Sequence, residues 1–150
     1  MKKKVFAIIL VALLVIQFFR PEKNIAIEDK PNSALEAIAP DSVRQVLQVA
    51  CFDCHSNNTN YPWYAEIMPV GWWLAHHVNE GKRDFNFSAI EKYNNKRLAH
   101  KLEETIEMVE SGEMPLTSYT LMHPEAKLTD EQARLIVEWA KREKRRLEQQ

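Results

Sequence analysis

The stretch Asp41-Ser42-Val43-Arg44-Gln45-Val46-Leu47-Gln48-Val49-Ala50 runs directly into Cys51-Phe52-Asp53-Cys54-His55. Val43, Val46, Leu47 and Ala50 fall at i, i+3, i+4 and i+7, one apolar helix face, with Asp41 as an N-cap. A helix therefore delivers two cysteines one turn apart, followed at once by a histidine. Working outward, the rest of the chain also reads as helix. There are only 3 glycines in 150 residues, and no alternating run is bounded by Asn-Gly or Asp-Gly, so a sheet would lack its turns. The expected fold is all-α, a small domain of four or five helices over residues 40–150.

Downstream, residues 56–69 carry two prolines, three asparagines and Tyr61, Trp63 and Tyr64. That is too much turn chemistry for a helix and too much apolar mass for a solvated loop. A helix is expected over 70–80 with Gly81 as its C-cap, and Ser88 is placed to cap a segment ending before Asn94. Leu98, Leu102, Thr105, Ile106 and Val109 recur at helical spacing until Gly112. Thr129 followed by Gln132 is a capping box, opening a helix whose buried stripe is Leu135, Ile136, Trp139 and Ala140. The tail over 141–150 reads as polar, and its Arg142, Lys144, Arg145 and Arg146 suit a helix C-terminus.

Upstream, Lys2, Lys3 and Lys4 precede an apolar run over 5–19 broken only by Gln17. This is the pattern of a signal peptide or short N-terminal anchor over 1–20. No small-x-small cleavage site closes the run, which favours an anchor. A helix of that length rises about 22 Å against about 30 Å of hydrocarbon, so it calls for lysine snorkelling with Phe18 and Phe19 at the interface. With the lysines inside, the body is expected on the periplasmic side of a bacterial inner membrane. Residues 21–39, with Pro21 and Pro31 and no sustained apolar period, read as a linker.

Charge narrows the partners. Without Lys2, Lys3, Lys4 and Arg20, the chain holds 16 basic against 21 acidic side chains. An acidic body argues against nucleic acid as a partner.

Cys51-x-x-Cys54-His55 is the spelling of c-type haem attachment. Two thiols one turn apart can each add to a haem vinyl, and the next residue offers its imidazole to the iron as proximal ligand. A thioredoxin-like redox pair needs a strand before the motif, which is missing. A zinc site built from Cys51, Cys54 and His55 with His76 or His77 finds no second Cys-x-x-Cys. The cofactor expected is one covalent haem c, with His55 Nδ1 donating to a backbone carbonyl.

The ordering of Cys-x-x-Cys-His, a later Met-Pro and a final helix opening Leu-Thr-Asp-Glu-Gln resembles class I c-type cytochromes. More closely, Gln17-Phe18-Phe19-Arg20-Pro21, Cys51 to His55 with Ser56-Asn57, Tyr61-Pro62-Trp63-Tyr64, Trp73, His77-Val78-Asn79-Glu80-Gly81, Asn86-Phe87-Ser88, Gly112-Glu113-Met114-Pro115 and His123-Pro124-Glu125-Ala126 resemble the small exported bacterial haem-binding domain family. The resemblance covers nearly the whole chain and implies a cytochrome c-like fold around covalent haem. Lys82 stands where arginine is commoner.

The class I resemblance places the sixth ligand at Met114, after the C-cap Gly112 and before Pro115. Met68 also precedes a proline, but it lies too close in sequence to His55 to reach the opposite haem face. His77 is the alternative to Met114, since adjacent histidines point about 100° apart and at most one of His76 and His77 faces the haem. His100 and His123 read as surface or capping groups. Tyr61, Trp63 and Trp72 are candidates for the haem wall. The function expected is electron transfer with redox partner proteins. The alternative is a haem-based redox or gas sensor, or a peroxidase-like enzyme, with a labile distal position. Haem delivery fits covalent attachment poorly.

Overall fold

The computed structural model describes residues 1–26 and 33–150. Pro31, counted in the expected linker, lies outside the described residues. The α-helices are α1 (Lys2–Val15), α2 (Ser33–Ile38), α3 (Asp41–Ala50), α4 (Phe52–His55), α5 (Val70–Asp84), α6 (Asn95–Glu110), α7 (Thr117–Thr120) and α8 (Asp130–Glu148). Short 3₁₀ turns at Ile16–Phe18, Trp63–Glu66, Phe87–Lys92 and Pro124–Ala126 join them. Among the described residues there is no strand, only an isolated antiparallel bridge between Ile25 and Asn58. The all-α expectation holds, with α3, α5, α6 and α8 as the long helices of the body.

The core sits where α6 and α8 pack along one another and α3 packs on α8. Val43 and Leu47 of α3, Leu102 of α6 and Ile136 and Ala140 of α8 are all fully buried. Trp139 joins them, and its Nε1 donates to the Ile38 carbonyl at 2.7 Å, tying the end of α2 to α8. The Thr129–Gln132 capping box forms in both directions, at 3.2 and 2.9 Å, and satisfies donors that a helix start leaves open. Gly112 follows the end of α6 with φ +72°, the left-handed backbone that glycine adopts without a Cβ clash.

Five local expectations are corrected. The described ends of the stretch expected as a linker pack on the body: Asn24 N–H donates to Tyr61 Oη at 2.7 Å, and Leu35 and Ala39 are buried in the core. That pair, one turn apart, is too short a stripe to register as a period. Asp41 is not the N-cap of α3. Pro40 holds that position and Asp41 pairs with Arg44 at 2.6 Å. Gly81 does not end α5, which continues to Asp84. Asn86, rather than Ser88, caps the turn after it, accepting from Ser88 N–H at 2.9 Å. The tail expected as merely polar is helical to Glu148, with Leu147 buried and Glu143 nearly so.

The N-terminal α1 spans 14 residues, about 21 Å of helix. Among the described residues no helix is long and apolar enough to cross a membrane.

Candidate functional site

The last turn of α3 hands the chain to α4 through Cys51, whose N–H donates to the Leu47 carbonyl at 2.8 Å. The Cys51 carbonyl then accepts from Cys54 and His55 N–H at 3.2 and 2.9 Å. This single tight turn fixes the two sulfurs on one side of the chain. Phe52 anchors it from below by stacking on Phe87, ring centres 5.6 Å apart.

His55 is held by a group 30 residues away, with Nδ1 lying 2.9 Å from the Phe85 carbonyl. A carbonyl only accepts, so Nδ1 carries the proton and Nε2 is left with a bare lone pair. Burial pushes the His55 pKa below its ordinary value, against hydrogen bonds to the Phe85 and Gly81 backbone and the charge of Asp84. The neutral form that a metal requires is thus the favoured one. The expected backbone partner exists, and it is Phe85.

Cys51 and Cys54 are free thiols, each half-buried. Burial raises Cys51 to about 12, with Cys54 adding to the rise. Burial and then the Asp53 charge raise Cys54 to about 11. Both sulfurs are therefore protonated at neutral pH, which slows disulfide chemistry between them. The turn itself lies hard against α5, and Gly81 is the residue that allows it.

Three clefts open around the motif. One of about 110 Å³ brings together Cys51, Cys54, His55, His77, Met114 and Tyr119. A second, about 280 Å³, continues from Cys54 past Tyr64, Trp73, His77, Leu116 and Tyr119. A third, about 450 Å³, lies on the other side, between Cys51, His55, Phe87, Met108 and Met114. A wider depression of about 770 Å³ lies between the end of α6 and the start of α8. It touches Met114 but none of the three motif residues.

Met114 and His77 thus both border the motif. His77 Nδ1 donates to the Trp73 carbonyl at 2.9 Å, leaving its Nε2 bare as well. Met68 is buried under the start of α5, against Gly71, and lines none of these clefts. Trp63 is 73% exposed and Trp72 donates its Nε1 to the Phe19 carbonyl at 2.6 Å. Neither lines a cleft at the motif, and Tyr61 borders only a separate depression shared with Asp53, Tyr119 and His123.

The aromatic residues beside the thiols are instead Trp73, Tyr64 and Tyr119, which sequence reasoning missed. Tyr119 Oη donates to Asp53 Oδ2 at 2.7 Å, so the residue between the cysteines ties α7 to the motif. His123, expected at the surface or as a cap, stacks on Tyr119 with ring centres 4.5 Å apart. His123 Nδ1–H donates to Glu125 Oε1 at 3.2 Å, so Nε2 accepts from Tyr64 Oη at 2.8 Å. Burial and neighbouring negative charge raise both the Tyr64 and Tyr119 phenols above their ordinary value. In the sequence, Tyr64, Trp73 and His123 stand in the motifs of the family resemblance, and Asp53, an acid between two thiols, calls for a donor such as Tyr119.

The donor set fits haem: two thiols on one turn, a neutral imidazole with one free nitrogen, and a thioether and a second imidazole bordering the same cleft. The family model described as a haem-binding domain matches residues 11–142. The match spans most of the chain, and the chain belongs to the haem-binding domain family. No curated protein and no solved structure matches it.

Proposed function

We propose that this haem-binding chain is an exported c-type haem protein that transfers electrons between redox partner proteins. Its haem is bonded through thioethers to Cys51 and Cys54. His55 Nε2 and Met114 Sδ would be the side-chain ligands that hold its iron. The observation that carries the reading is the His55–Phe85 bond, which fixes the tautomer and leaves a single ring nitrogen for a metal.

Bound haem supplies one-electron redox chemistry, and a thioether ligand holds its potential higher than a second imidazole does. The chain's own residues do the rest. Phe52 and Phe87 pack the back of the motif. The Asp53–Tyr119 bond keeps α7, which follows the Met114 loop, against it. Met114 reaches the clefts because α6 stops at Ser111 and its N–H returns to the Met108 carbonyl at 3.1 Å.

Export rests on Lys2, Lys3 and Lys4 ahead of an apolar helix. In this reading α1 is an uncleaved anchor and the body lies on the periplasmic side of the inner membrane.

The test is the full chain matured with haem-ligation machinery. Haem that survives acid-acetone extraction and gives a c-type pyridine haemochrome supports the attachment, and extractable haem rejects it. A high-spin oxidised spectrum would favour the sensor or peroxidase-like reading, since a carrier gains nothing from an open position.

A further inference from the structure

The apolar helix α1 and the start of α5 are joined at one corner of the surface. The residues of α1 are exposed on every side, none packing on the body. The chain after α1 is nevertheless clamped. Gln17 Nε2 donates to the Met68 carbonyl at 3.0 Å while Gln17 Oε1 accepts from Met68 N–H at 2.9 Å. The Phe19 carbonyl takes the Trp72 indole N–H, and Arg20 and Lys23 both pair with Glu66. The base of α1 is therefore fixed to the corner formed by the Trp63–Glu66 turn and the start of α5.

That corner exposes large apolar side chains of the body, as does the turn after α7 at Leu121 and Met122. Trp63 is 73% exposed and Ile67 46%, beside Phe18 at 87% and Phe19 at 64%. Trp63 and Trp72 lie here, whereas Trp73 turns to the cleft beside His77 and Trp139 is buried. Soluble surfaces seldom gather large apolar groups in this way. Tryptophan, an apolar ring with one N–H, favours the level of lipid headgroups.

We propose that this corner is a membrane-docking face: Trp63 and Ile67 of the folded body, with Phe18 and Phe19, rest in the interfacial layer of the same bilayer that holds α1. The proposal rests on the anchor reading of α1. The length of α1 argues for lipid as the occupant. At about 21 Å it is shorter than the hydrocarbon layer, so its clamped end, and the corner with it, is drawn down to the headgroups. The body is then oriented on the membrane rather than swinging on a tether.

The experiment uses the full chain in vesicles of phosphatidylethanolamine and phosphatidylglycerol doped with a diazirine-bearing phospholipid, with adducts mapped by mass spectrometry and carbonate extraction run in parallel. Adducts on α1 and on residues 61–73, with none on α8, are expected. The Trp63→Ser/Ile67→Ser pair should lower the 61–73 adducts at least fivefold and leave those on α1 and the circular dichroism unchanged. Adducts on α1 alone from a carbonate-resistant chain overturn the docking face and leave the anchor standing. The same result with concentration-dependent dimers in detergent would assign the face to a second copy. A chain released by carbonate without α1 adducts overturns the anchor and the face together. A double variant that labels like the native chain rejects these side chains as the face.

Discussion

Gly81 of α5 lies flush against Cys54 of α4: a Cβ built at 81 would stand 2.6 Å from the Cys54 carbonyl oxygen and 3.1 Å from its carbonyl carbon. Both neighbours are main chain in a tight turn, so neither can swing aside. The absence of a side chain at 81 sets how closely the Cys51–His55 turn packs on the helix behind it.

Gly81→Ala should therefore push α4 away from α5. Overpacking of this kind costs about 1–3 kcal/mol, to be read from denaturant midpoints of the matured protein. Haem-stained yield should fall with it, because the thiols and His55 move together. An unchanged midpoint would mean that α4 shifts freely.

Met114→Ala and His77→Ala separate the two candidate distal ligands. With Met114 bound, the near-infrared sulfur-to-iron band is present in the native oxidised protein and vanishes in Met114→Ala, which then binds cyanide readily. His77→Ala should keep the band. The opposite pattern, a high-spin His77→Ala beside an unaltered Met114→Ala, identifies a bis-histidine haem.

Thiol chemistry of the haem-free protein should be slow and strongly alkaline. With Cys51 near 12 and Cys54 near 11, alkylation by iodoacetamide at pH 8 should lag a free cysteine by roughly a hundredfold at Cys54 and roughly a thousandfold at Cys51, since each pH unit changes the thiolate tenfold. The linked effect on stability has a definite sign. The native state holds these protons more tightly than the unfolded chain, so their contribution is fully present below about pH 9 and is lost as pH rises from 9 toward 12. Denaturant midpoints of the haem-free chain between pH 8 and 11 should fall with pH, and Cys51→Ser/Cys54→Ser should flatten the trend.

Trp139→Phe should lose the bond to Ile38 while keeping most of the packing. A buried acceptor left without its donor costs about 1–3 kcal/mol, and α2 should fray first. Hydrogen exchange at residues 35–39 is the readout, and unaltered protection there would detach α2 from α8.

The haem-attachment spelling, the apolar stripe of α3 and the Thr129 capping box are local patterns, fixed by neighbours within a turn or two, and the sequence by itself determined them. So was the all-helical class, since periodicity of 3.6 and scarce glycine need no distant partner. Residues 33–39 escaped because Leu35 and Ala39 gain their meaning only against a core made elsewhere. Tertiary structure alone decided that Phe85 holds His55, that Trp73, Tyr64 and Tyr119 rather than Trp63 and Trp72 stand beside the thiols, and that Gly81 is a contact and not a cap. The adjacent indoles show why. Trp72 and Trp73 are chemically the same residue, and the helix rotation between them, fixed by where α5 meets the Phe19 carbonyl and the motif, sends one to the clamp and the other to the cleft.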